Sequence, residues 1–171
     1  MTVSMYKCSA PIFLQYLGGL SNVLDKAKAH VEAKKLDEAF FMNMRIYPDM
    51  FPFVRQVRST CDHAVNACAR IAGREVPTFA NDEKTFDDLK KRVERAMDFV
   101  RTFKPEELDG QEAREIVVKF PSGERHFTGQ TLLLNFSLPN FYFHDTAAYA
   151  ILRHCGVEIG KRDFMGVPVQ S

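Results

Sequence analysis

The amino-acid sequence predicts an all-α fold, a four-helix bundle with one small β-hairpin between its third and fourth helices. Three observations carry this reading. Four long segments repeat apolar residues at i, i+3, i+4 and i+7, the stripe of a helix with one face in a core. Only one stretch reads as β-structure. The 171 residues contain no linker, internal repeat or low-complexity segment, which fits a single domain over 1–171.

The first helix carries Phe13, Tyr16, Leu17, Leu20, Val23, Leu24, Ala27 and Val31, with Pro11 close to its start, where proline is tolerated. A short apolar stretch from Leu36 to Met44 leads to the turn-like Tyr47-Pro48-Asp49. Asp49 is the expected N-cap of the second helix, with Pro52 in its first turn. That helix bears Val54, Val57, Cys61, Ala64, Val65, Cys68, Ile71 and Ala72 and stops at Gly73. The third opens between Asn81 and Thr85, buries Phe86, Leu89, Val93, Ala96, Met97, Val100 and Phe103, and ends before Pro105. Its charged face, Lys90, Lys91 and Arg92 included, reads as solvent-facing.

Glu115–Phe120 and Arg125–Phe127 flank Pro121-Ser122-Gly123-Glu124 and read as a hairpin. Two strands are marginal alone, so the hairpin must lie on the helices. The last helix runs from near Thr128 to Arg153 through Pro139, which should kink it, and Gly156 is its expected left-handed stop. The tail from Val157 to Ser171 is expected to be extended along the surface.

Composition excludes several functions. Lys and Arg number 23 against 22 Asp and Glu, a formal charge of +1, without the basic excess of a nucleic-acid binder. With 46% hydrophobic residues and 15 Phe, the chain is not disordered. It has no run of about 18 uncharged apolar residues to span a membrane, and its start lacks a signal peptide's pattern. Cys8, Cys61, Cys68 and Cys155 form no Cys-x-x-Cys pair. Cys61 and Cys68 share an apolar stripe, so core packing and a cytoplasmic location with reduced thiols are expected. No Ser-His-Asp arrangement, glycine-rich phosphate loop or paired-carboxylate signature occurs.

Two stretches resemble a known family: Pro48-Asp-Met-Phe-Pro52 with Arg55-Gln-Val57, and Leu138-Pro-Asn-Phe-Tyr-Phe-His144 running into Leu152–Val157 and Gly160–Phe164. Together they are similar to an uncharacterised domain-of-unknown-function family within the DinB/YfiT-like superfamily of metal-associated helical bundles. The resemblance spans essentially the whole chain. It implies an antiparallel bundle with a crossover connection, frequent homodimers, and a metal such as zinc or nickel between helices. The ligands it implies are one His on the second helix and a His-x-x-x-His pair on the last, and some members use the metal in thiol-dependent transferase or isomerase chemistry.

On this chain the pair falls on Asn140 and His144, and the second-helix position falls near Thr60. An amide oxygen suits hard cations better than zinc or nickel, so the site reads as degenerate. His63 is placed about 150° from the core stripe by the 100° helical step, as a solvated or interface residue. His63→Ala is accordingly expected to change stability by less than about 0.5 kcal/mol. His144 points inward with Phe141, Ala148, Ile151 and Cys155, and needs partners for its ring nitrogens, with Asn140 and Tyr16 as candidates by type. Asp145 reads as helix surface. A weak ligand pocket is therefore expected from Asn140, His144, Tyr16 and Thr60, with His144, Asn140 and His63 as weak metal candidates.

Phe136, Phe141, Tyr142, Phe143 and Tyr149 cover more than one side of the last helix. Either the tail and hairpin cover the extra face or a second copy does, and a twofold homodimer is the expectation. Three functions follow in order: a small-molecule binder with a degenerate metal site, a metal- or thiol-dependent transferase, and a structural or interaction homodimer.

Overall fold

A computed structural model of the chain describes residues 3–169. The fold is mostly helical, with four long helices and one two-stranded antiparallel hairpin. Helix α1 is Ala10–Lys34 and α2 is the short Glu38–Asn43, capped by the Asp37 side chain accepting from the Ala39 N–H at 2.9 Å. Helix α3 is Phe53–Ala72, α4 is Phe86–Arg101 and α5 is a single turn at Pro105–Leu108. The hairpin pairs β1, Glu115–Phe120, with β2, Gly123–Thr128. One turn, α6 at Gly129–Thr131, enters a π-helical segment, Leu132–Ser137, that continues into α7, Leu138–His154. Helix α8, Lys161–Met165, closes the chain.

Helix α3 packs against both α7 and α4, and α1 packs against α4, with lesser contacts to α3 and α7. Phe13, Leu17, Phe53, Val57, Leu89, Val93, Phe141 and Ile151 meet between them, all fully buried. Cys61 and Cys68 lie in that core as free thiols, and burial raises both above the ordinary thiol range. No helix among the described residues is long and apolar enough to cross a membrane.

Several local expectations need correction. Helix α3 starts at Phe53 with Pro52 as its cap residue, so Asp49 is in the preceding loop and caps nothing. A proline pushes the residue before it out of the helical region, which delays the start to the position after Pro52. Pro139 follows directly on the π-helical segment, in the first turn of α7. The Leu138 N–H reaches back five residues to the Leu133 carbonyl, and the wider turn accommodates a ring that would otherwise collide with a carbonyl one turn back. The hairpin turn is tighter than expected, because Phe120 already pairs with Gly123, which takes a φ of +122°.

The tail is not extended. After Gly156, which adopts the expected left-handed φ of +84°, it returns as α8 and docks on α1. Gly19 makes that docking possible, since a Cβ there would lie 2.6 Å from the Phe164 carbonyl oxygen. Arg92 also departs from the reading of α4 as solvent-facing on its charged side. It is 1% exposed, and its guanidinium donates to Glu83 and Asp62, each at 2.7 Å, and to the Ala80 carbonyl at 2.9 Å. Arg58 holds the other Glu83 oxygen at 2.5 Å, so four charged side chains lock α3, α4 and the loop between them.

Candidate functional site: stacked histidines between α3 and α7

The side of α3 that faces α7 carries Gln56, Thr60 and His63, at i, i+4 and i+7. Because α3 has neighbours on several sides, this polar stripe is enclosed rather than solvated. His63 is half-buried, its ring centroid 5.5 Å from that of His144 and the planes 12° apart. The placement of His63 on a solvated face is therefore wrong, for the wheel was centred on one core stripe while α3 is packed on more than one flank. His63→Ala removes a ring that contacts both His144 and Phe136, so its cost is no longer that of a surface change.

His144 is the middle ring of a pile. Phe51, from the loop before α3, stacks on it with centroids 5.9 Å apart and planes 4° apart. The His144 Nδ1 lies 2.7 Å from the Gln56 Oε1. Gln56 donates its own amide N–H to the Phe51 carbonyl at 3.1 Å, which orients its oxygen toward His144. Nδ1 then carries the proton and donates, leaving Nε2 as a lone-pair acceptor. Burial lowers the His144 pKa, and Arg55 nearby adds to that; the Arg55 guanidinium caps the Phe51 ring 3.5 Å from its centroid. Burial, and then the charge of His144, push His63 down to about 4. Both rings are neutral at physiological pH.

A cleft of about 300 Å³ opens beside His144, lined by Asp49, Met50, Phe51, Gln56, Asn140 and Phe143 as well. Of the four residues expected to form a pocket, Asn140 and His144 line it together. Asn140 is anchored by its amide N–H donating to the Phe136 carbonyl at 2.7 Å. Tyr16 and Thr60 are elsewhere. The Tyr16 ring packs against Phe141, Tyr142 and Phe164, with its hydroxyl on the Met165 sulfur at 3.4 Å. Thr60 is buried and donates to the Gln56 carbonyl at 3.0 Å. Gln56 is the partner that sequence reasoning missed, although its i, i+4, i+7 spacing with Thr60 and His63 was visible.

The donor chemistry does not fit the implied metal. The two imidazoles face each other, and the neighbouring positions hold the amides of Asn140 and Gln56. Among the described residues no three His, Cys, Asp or Glu side chains gather to hold an ion.

Asp145, read as surface, is buried at 2% exposure, because Phe141, Asp145, Ala148 and Leu152 form one inward stripe of α7. Its Oδ2 has no hydrogen-bond partner among the described residues, and burial raises its pKa well above the carboxylate range. The folded chain therefore keeps a proton there that the unfolded chain releases near pH 4, and stability declines as pH rises through that interval. Asp145→Asn removes this slope. Its advantage over the parent is expected to grow by up to about 1.4 kcal/mol per pH unit, read from urea midpoints at pH 5, 6.5 and 8. Equal midpoints for the two proteins at pH 8 would refute it.

The aromatic face of the last helix is largely covered within the chain. Phe136 packs on Phe120 and Phe127 of the hairpin, Phe141 on Phe13, Tyr142 on Tyr16, and Tyr149 on Phe164 of α8. Phe143 stays 58% exposed.

The mostly helical fold with its one small hairpin is that of a DinB-like protein. Within that class the chain belongs to the family described as a domain of unknown function, DUF1993, which matches residues 5–165. It is similar to a solved structure described as a DinB family member protein from Shewanella denitrificans, at 33% identity and a TM-score of 0.86, over 97% of this chain and 94% of that one. No curated protein matches the chain.

Proposed function

We propose that the protein binds a small, uncharged, planar molecule in the cleft beside His144, on a DinB-like antiparallel four-helix bundle whose metal site is degenerate. The observation that carries this reading is the fixed tautomer of His144. Gln56 consumes the Nδ1 proton, so Nε2 offers a lone pair at the cleft, with Asn140 beside it and the Phe51 and Phe143 rings for stacking. Such a site recognises a ring bearing a hydrogen-bond donor.

The test is a titration of the full chain with phenol and 4-hydroxybenzamide, followed by NMR. Saturable shifts at His144 and Asn140 are expected, and Asn140→Leu should abolish them. Absence of shifts would overturn the reading. So would near-stoichiometric zinc or nickel in protein purified without chelators and lost in His144→Ala, which would establish the metal-dependent transferase alternative instead. Self-association through the exposed Phe143 belongs to the same reading, as does a cytoplasmic location, for which the free cysteines speak. Sedimentation of the parent and of Phe143→Ser tests the dimer: a monomeric parent would remove it.

A further inference from the structure

A second recess lies on the other side of the histidine stack, between α3 and the hairpin. Its volume is about 230 Å³, below the ~300–1,000 Å³ of sites that take drug-sized ligands, so any occupant is small. One wall is apolar and comes from β1 and the π-helical segment: Val118, Phe120, Leu132 and Phe136. The other is polar and comes from successive turns of α3: Asp62, His63, Asn66 and Arg70. Ser137, 2% exposed, also lines it.

The charges in this recess are unequal in their commitments: Lys119 of β1 also lines it, but its side chain stands in solvent and its ammonium lies 3.6 Å from Glu124. Asp62 is already neutralised, its Oδ1 accepting from the buried Arg92 at 2.7 Å. Arg70 makes no ion pair with a carboxylate among the described residues. Its Nε donates at 3.3 Å to the Asn66 Oδ1, and Asn66 is fixed in turn by its amide N–H on the Asp62 carbonyl at 2.8 Å. The guanidinium is thereby oriented while its two terminal nitrogens stay available, the fork that grips a carboxylate by two parallel bonds. His63 is neutral and adds no competing charge.

We propose that this recess binds a small amphipathic carboxylate, its acid group on Arg70 and its apolar body against Phe120, Phe136 and Leu132. The site is separate from the His144 cleft and does not depend on what that cleft binds. Arylalkanoates and short-chain fatty acids have the required shape, with a flat or flexible apolar body one bond from the charge. An arginine fork also separates acid from amide, because the amide presents only one acceptor and no charge.

Calorimetric titration of the full chain with 4-phenylbutyrate, and in parallel with the neutral 4-phenylbutanamide, tests this. With about a dozen non-hydrogen atoms, 4-phenylbutyrate should bind with a Kd on the order of millimolar. The amide should bind at least about tenfold more weakly, as should the acid to Arg70→Gln. Arg70→Lys, which keeps the charge but not the fork, should fall between them. Circular dichroism melts of the Arg70 variants report whether the fold is intact, and Phe143→Ser, which alters a wall of the other cleft only, should retain 4-phenylbutyrate binding. Equal affinity for acid and amide would overturn the proposal, as would undiminished binding by a folded Arg70→Gln. Loss of binding in Phe143→Ser would overturn it too, by moving the ligand to the other cleft.

Discussion

Arg92→Met is expected to lower the unfolding free energy by about 3–5 kcal/mol, the usual cost of leaving one partner of a buried ion pair alone. Glu83 is the group left behind. Its side chain is as buried as that of Arg92, and burial alone would raise its pKa. The hydrogen bonds from Arg92 and Arg58 outweigh that and hold the carboxyl below its usual range. Without Arg92 the Glu83 carboxylate keeps only Arg58, and Asp62 loses its partner as well. Urea unfolding of the parent and the variant at pH 7 measures the difference. Adding Glu83→Gln to Arg92→Met should recover part of the loss, because the second change removes the stranded charge. Lys90, also on α4, gives the contrast. Its ion pair with Asp25 is solvent-accessible on both sides, so Lys90→Met should cost no more than about 1 kcal/mol. An Arg92→Met variant as stable as Lys90→Met would refute the assignment.

These residues also mark where the sequence stops being legible. Arg92 sits in the run Lys90-Lys91-Arg92 and looks like its neighbours, yet a step of 100° turns it toward α3 and the loop. Nothing local distinguishes it, since Glu83 and Asp62 reach it from other elements. The four long helices, the hairpin and the glycine stop were legible because each depends on periodicity or on one residue's backbone freedom, whereas the short helices α2, α5, α6 and α8 were not. His144 was legible for the same reason, lying on an apolar stripe. His63 was misplaced because a single hydrophobic stripe identifies only one buried side, whereas α3 is enclosed on more than one. The polar spacing Gln56, Thr60, His63 held that information, but it becomes meaningful only when α7 is known to lie opposite. Asp145 illustrates the converse. Its charge was weighed above its position between Phe141 and Ala148, and position prevailed. The aromatic excess on α7 was readable as an excess, while its cover by the hairpin and α8 depended on close approaches such as that at Gly19.

His63 should cost the protein stability as pH falls from about 6.5 toward 4, ahead of most of its carboxylates. In the fold its pKa is pushed down to about 4 from an ordinary 6.5, by burial first and then by His144. Burial and Arg55 move His144 in the same direction. Above pH 6.5 both rings are neutral in the folded and the unfolded chain, and the stack contributes fully. As pH falls from there toward 4, the unfolded chain takes up protons that the folded chain refuses, so stability falls with pH in this window. For His63 alone the full interval is worth on the order of 3 kcal/mol, at about 1.4 kcal/mol per pH unit. Below about pH 4 the ring charges within the fold and the Phe51–His144–His63 pile gains a buried cation, with Arg55 already near His144. His63→Phe separates this from the general acid response, because it keeps an aromatic ring against His144 and Phe136 but cannot titrate. Asp145 acts in the opposite direction in both proteins, so the difference between them is what isolates the histidine: the urea midpoint of the variant should rise relative to that of the parent as pH is lowered from 7.5 through 6 to 5. A difference that stays constant with pH would show that the histidine stack contributes nothing to the acid response. A growing difference would also mean that the neutral Nε2 of His144, the acceptor on which recognition in the cleft rests, is maintained at the expense of acid stability.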